Sequence, residues 1–142
     1  ELVVRIERPL SLLAGELDGI PATPFLHDTT TKNVIVTPEG RLSGIVDVDD
    51  LCYGDPRYVA ALTSVALRAH GHPTDYASEL MRAAGWRDDA LYRLYVAAFV
   101  LDFMSEHGQV FNGNAPVSSG QARKALAELY DEALQDLRTA RQ

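Results

Sequence analysis

Apolar residues recur at Leu2, Ile6, Leu10, Leu13 and Leu17, the three- and four-residue spacing of one helix face. Pro9 falls inside this run and predicts a kink or restart. The stretch "GIPATP" ends the pattern. Two short β-branched runs follow, "NVIVT" and "RLSGIVDV", separated by "PEG"; they predict one hairpin closed by a Pro-Glu-Gly turn. After Asp50 the period becomes helical. "GDPRYVAALTSVALRAHG" offers Asp55 as cap, Pro56 at the first helical position and Gly71 as stop. "TDYASELMRAAG" is a second helix of this series, with Thr74 as cap and Gly85 as stop. "RDDALYRLYVAAFVLDFMSEHG" is apolar nearly all round, the signature of a central helix. "QVFNGNAPVSSG" reads as a loop, and "QARKALAELYDEALQDLRTARQ" as a last amphipathic helix with Ala125, Leu129, Leu134 and Leu137 near one face.

The order is thus helix, hairpin, four helices: a mainly α fold with one small β-hairpin. Without repeated strand–helix alternation, a doubly wound parallel sheet is not expected. At 142 residues and 46% hydrophobic, the chain is one domain's worth with a single sizeable core. The net charge of −7 argues against a nucleic-acid partner, because no basic stripe exists to neutralise phosphates. One cysteine, Cys52, rules out an internal disulfide and suits a reducing cytoplasm. The most apolar segment, "LYRLYVAAFVLDFM", is interrupted by Arg93 and Asp102, and no run approaches the roughly 20 residues of a membrane span. No signal-peptide pattern opens the chain. Glu1 begins inside an apolar run, "ELVVRIERPL", so the chain is expected to be a piece of a longer one.

The chemistry concentrates in "FLHDTTTKNVIV" and "LSGIVDVDD". A hairpin brings the start of one strand beside the end of the other, so Asn33 and Asp47 should lie close together with Asp28 one loop away. Asp49 and Asp50 come just after Asp47. An amide oxygen with one or more carboxylates suits a hard cation such as Mg²⁺. A further Asp within reach suits a general base that accepts a hydroxyl proton. Local alternatives exist for each: Asp28 as the cap of the "TTTKN" turn, Asn33 as a turn residue, Asp49 and Asp50 as solvated carboxylates, and Asp55 as a helix cap. His70, His72 and His107 lack metal-ligand spacing and are expected at the surface.

An Asp five residues before an Asn, then a short hairpin and a second Asp, is the order of the kinase catalytic loop and its metal-binding Asp. The stretches "HDTTTKNVIV", "SGIVDVDD" and "YGDPRYVAAL" resemble, over residues 25–61, the carboxy-terminal lobe of the aminoglycoside phosphotransferase and choline kinase family, which shares the protein-kinase-like fold. The resemblance implies ATP-dependent, Mg²⁺-assisted phosphoryl transfer to a hydroxyl of a small polar substrate, cationic or neutral. It implies Asp28 as the catalytic Asp, Asn33 and Asp47 as Mg²⁺-nucleotide ligands with Asp49 beside them, and Lys32 as a cation that steadies the transferred group. The catalytic loop and metal-binding hairpin would occupy about 25–50 and a helical substrate-side subdomain about 55–142.

The sequence departs from the family pattern in three ways. His27 adjoins Asp28, where the family's His sits two residues before its Asp. Val59 stands where the family carries an Asp that braces the catalytic loop. No glycine-rich loop or strand-borne Lys precedes residue 25, and Lys32 and Lys124 are the only lysines. The amino-terminal nucleotide lobe is therefore expected to be missing, the piece alone to bind ATP poorly, and the face left bare to favour self-association. Two rival readings follow. One is a degenerate kinase-like binding module without activity. The other is a haloacid-dehalogenase-type phosphatase with Asp47 as nucleophile and Asp49 as acid/base, which needs further parallel strands that the helical remainder does not predict. An EF-hand fails because Leu51 takes the next ligand position and the glycine is absent.

Overall fold

The computed structural model describes residues 2–27, 33–107 and 120–140. Five helices, α1 (Val4–Asp18), α2 (Arg57–Ala69), α3 (Asp75–Ala83), α4 (Ala90–Glu106) and α5 (Gly120–Thr139), accompany four short strands, β1 (Thr23–Leu26), β2 (Val34–Val36), β3 (Leu42–Ile45) and β4 (Leu51–Gly54). The chain is mainly helical, as its periodicity predicts. None of the helices is long and apolar enough to cross a membrane, among the described residues.

The expectation of a single hairpin needs correction. β2 and β3 form the predicted hairpin, with Val34 opposite Ile45 and Gly40 supplying the positive φ of the turn. A second antiparallel pair joins β1 to β4, with Leu26 opposite Leu51 and Thr23 opposite Gly54. The inner hairpin is therefore nested within an outer one. The outer pairing escapes the sequence because its strands are four residues long, lack an alternating pattern and lie far apart in the chain.

Helix α4 is central, as its all-round apolar surface requires: it packs against α1, α2 and α5 and buries Leu91, Leu94, Ala97, Phe99 and Val100 among others. Its amino terminus is capped by Asp89, whose carboxylate accepts from the Tyr92 amide. α1 runs through Pro9 without interruption and buries Ile6 and Leu13, while Leu10 stays exposed. On α5 the buried face is Leu126, Leu129, Tyr130, Ala133, Leu134 and Leu137; Ala125, expected inside, is exposed. Gly71 and Gly85 end α2 and α3 at φ of 71° and 66°, the left-handed conformation that closes a helix. Thr74 precedes α3 but makes no side-chain cap bond. His70 and His72 are exposed, whereas His107 is half-buried, against expectation.

The β2–β3 hairpin adds little to this core. Ile35, Val36, Leu42, Ile45, Val46 and Val48 are all exposed.

Candidate functional site

The nested pairing sets the ends of two connecting segments against each other. The first spans residues 27–33 and the second residues 46–50. At one end the His27 amide donates to the Asp50 carbonyl at 3.0 Å; at the other the Val46 amide donates to the Asn33 carbonyl at 2.9 Å. Both ends of the first loop are thus held opposite both ends of the second. Asp28 and Lys32 themselves lie outside the described residues.

Asn33 is the buried polar residue of the described chain, at 8% exposure. It stands directly before β2, and its carbonyl accepts from the Val46 amide, which puts Asp47 one residue beyond its partner. Asp47 adopts φ of 58°, alone among the described non-glycine residues in having positive φ. That conformation is uncommon for a residue with a Cβ, although Asp tolerates it better than most. Strained backbone of this kind clusters where function fixes a side chain's direction. Asp49 and Asp50 are exposed further along the loop. The donor types, an amide oxygen and carboxylates, fit a hard cation. Among the described residues no three His, Cys, Asp or Glu side chains form a metal-holding group. Asn33 and Asp47 would supply two protein ligands, the complement of a Mg²⁺ ion that shares its shell with phosphates and water.

Asp55, expected to be only a cap, has a larger role. Its Oδ1 accepts from the Arg57 amide at 3.0 Å, the capping bond. Both its oxygens also accept from the Arg57 guanidinium, at 2.7 to 3.0 Å, and Oδ2 accepts from the Tyr95 hydroxyl at 3.2 Å. Arg57 reaches onward to both oxygens of Asp89 at 2.8 Å. The start of α2 is thereby tied to the start of α4. Asp55 holds the Arg57 guanidinium even more firmly protonated than usual, against burial. Burial works against ionised Asp89, but the Tyr92 amide and Arg57 together outweigh it and keep its carboxyl below the usual range. No sequence signal points to this network, because Arg57 and Asp89 are distant in the chain.

Where the family pattern places a bracing carboxylate, Val59 is half-buried on α2. The neighbouring Tyr58 meets the first loop instead: its ring lies 5.4 Å from the His27 ring, 5.9 Å from Phe25 and, edge-on, 4.6 Å from Phe99. Burial first, then the nearby Asp102, pushes the Tyr58 phenol up. Burial, followed by Asp55, does the same to Tyr95 more strongly, and burial raises Tyr92 and Tyr130. A raised folded-state pKa stabilises the fold fully below the unfolded value and loses that contribution as pH rises through the folded value. The fold should therefore weaken as pH climbs above about 10. Asp89 has the opposite sign: its contribution is lost as pH falls below about 4. Circular dichroism against pH, with tyrosinate absorbance recorded in parallel, checks both limbs. Tyrosinate forming at the free-tyrosine pH without loss of structure would show that burial is not the cause.

No family model, curated protein or solved structure matches the chain.

Proposed function

We propose that residues 1–142 act as the carboxy-terminal catalytic lobe of an ATP-dependent small-molecule phosphotransferase of the aminoglycoside and choline kinase type, working in the cytoplasm. The observation that carries this reading is the nested pairing, which sets the ends of the loop containing Asp28 and Lys32 opposite the loop containing Asp47 and Asp49. The buried Asn33 and the left-handed Asp47 support it, since both belong to the residues that the kinase-like order assigns to nucleotide and metal.

In this reading Asp28 accepts the proton of the acceptor hydroxyl as the oxygen bonds to the γ-phosphorus. The bond from that phosphorus to the β–γ bridging oxygen breaks, and ADP leaves with the electron pair. Lys32 steadies charge on the transferred group. Asn33 and Asp47, with Asp49 in reserve, orient the nucleotide's phosphates. Mg²⁺, when bound with the nucleotide, neutralises charge on the phosphate oxygens. The adenine wall and phosphate-pairing Lys are assigned to a separate amino-terminal lobe. The exposed apolar sheet residues supply a face for that lobe or for self-association. The phosphatase alternative finds less support: all four strands pair antiparallel, and the described residues after Gly54 are helical apart from turns and loops.

With half the enclosure supplied elsewhere, ATP should bind this chain no tighter than roughly millimolar, about −4 kcal/mol. An NMR titration with ATP and Mn²⁺ tests both points. Paramagnetic broadening is expected first at Asn33 and Asp47 and should vanish in Asp47→Ala. Broadening centred elsewhere would sink the site, and a micromolar affinity would show that the chain carries a complete nucleotide pocket.

A further inference from the structure

A cleft of about 410 Å³ opens between the β1–β4 sheet, α2 and α4, a size within the range of small-molecule sites. Five of its eight lining residues carry rings: Phe25, His27, Tyr53, Tyr58 and Tyr95. Tyr58 is their hub and is fixed from behind by Phe99, at 4.6 Å edge-on, and flanked by Tyr95 at 6.4 Å. Tyr53 stands on the rim of β4 with 68% of its surface in water. A large aromatic ring left exposed beside other rings is surface that a flat ligand would cover.

The cleft's carboxylate, Asp55, is already engaged. Both oxygens are taken by the Arg57 guanidinium, and the Tyr95 hydroxyl occupies a further acceptor position. It therefore offers no unpaired charge to a cationic ligand, which would be left with cation–π contact to the rings alone, a weak attraction where water reaches the site. What remains is faces and edges of rings with little polarity. That lining suits an aromatic ring, through offset or edge-on contacts, and recruits an aliphatic polyol or polyamine poorly, because the hydrogen bonds those ligands give up to water would not be replaced.

We propose that this cleft binds a flat aromatic ring bearing an alcohol, with the hydroxyl toward His27. The substrate class of the proposed transferase is then an aromatic alcohol rather than a polycation. The role of the hydroxyl rests on the phosphotransfer reading, because His27 on the cleft wall is the residue immediately before Asp28. The ring contacts stand without it.

The test is an NMR titration of the chain with 2-phenylethanol, and with choline as the cationic counterpart, in the absence of nucleotide. Expected are saturable shifts of the His27, Tyr58 and Tyr95 ring signals with 2-phenylethanol and clearly weaker binding of choline, whose only attraction there is to ring faces open to water. Nuclear Overhauser contacts should run from the CH₂OH protons to His27. Tyr53→Ala, which removes an exposed side chain, should weaken binding about three- to tenfold with unchanged helicity. The absence of saturable shifts, equal or tighter binding of choline, or full affinity in Tyr53→Ala would overturn the site. A ligand bound with its ring, not its hydroxyl, against His27 would overturn the acceptor orientation. No ATP is present, so failure here leaves the Asp28 and Asp47 reading standing, and failure of that reading leaves the ring site standing.

Discussion

Asp28→Asn should lower phosphoryl transfer by about 10²- to 10⁴-fold while nucleotide affinity stays nearly unchanged. That range is the usual contribution of a positioned general base. In the proposed reading the group acts on the acceptor hydroxyl and not on ATP, so its loss would raise the barrier without loosening the ground state. Asp47→Ala should behave differently. Asp47 follows directly on Val46, whose amide donates to the Asn33 carbonyl, and its backbone is left-handed. If Asp47 is the proposed nucleotide-metal ligand, removing it should raise the dissociation constant for Mg²⁺-ATP at least about tenfold, ~1.4 kcal/mol, together with the loss of turnover. The two substitutions are to be compared by steady-state kinetics and equilibrium nucleotide binding, with this chain joined to a nucleotide lobe of the kind the proposed function calls for. Equal losses of affinity from both changes would show that the two carboxylates do not divide the work in this way.

The parts of this molecule that were legible in its sequence are those with a local cause. β2 and β3 announce themselves through "NVIV" and "LSGIV" flanking a glycine turn. α4 announces itself through apolar residues all round, and Gly71 and Gly85 mark helix ends through a backbone conformation that glycine adopts cheaply. The Asp28, Asn33 and Asp47 order is a spacing and so is read from the sequence, with Asp28 outside the described residues. What escaped is non-local. β1 and β4 are "TPFL" and "LCYG", too short to show a period, and their pairing is fixed only once the inner hairpin has brought their ends together. The misassigned Ala125 shows the limit of period-counting: Leu126 and Tyr130 carry the greater apolar surface, and a rotation of one residue buries them instead. Tyr58 escaped because an aromatic next to a helix start reads equally well as core. Only the fold places its ring against His27 rather than leaving the loop to a carboxylate at Val59.

The network at Asp55 carries the largest expected effect on stability. Asp55 and Arg57 expose only 8% and 16% of their side chains, so neither charge is well solvated, and each depends on the other for compensation. A buried pair is weak evidence for net stability when compared with an apolar substitute, but breaking one by removing a single partner leaves a charge stranded. Asp55→Ala removes the α2 capping bond and the acceptor of the Tyr95 hydroxyl, and strips the guanidinium of one of its two carboxylates. Asp89 remains to hold Arg57, which moderates the loss. The expected cost is about 3 kcal/mol, roughly 10 °C in Tm for a chain of this size. Tyr95→Phe, which deletes one hydrogen bond at the same carboxylate, should cost only about 1 kcal/mol. Denaturant unfolding of the two single variants and their double completes a cycle. Because both act on one carboxylate, the double variant should be less destabilised than the sum of the singles. Strict additivity, or a loss below about 1 kcal/mol in Asp55→Ala, would mean that the bidentate pair is solvated in solution and that the junction between α2 and α4 is held by packing of Tyr58 and Tyr95 alone.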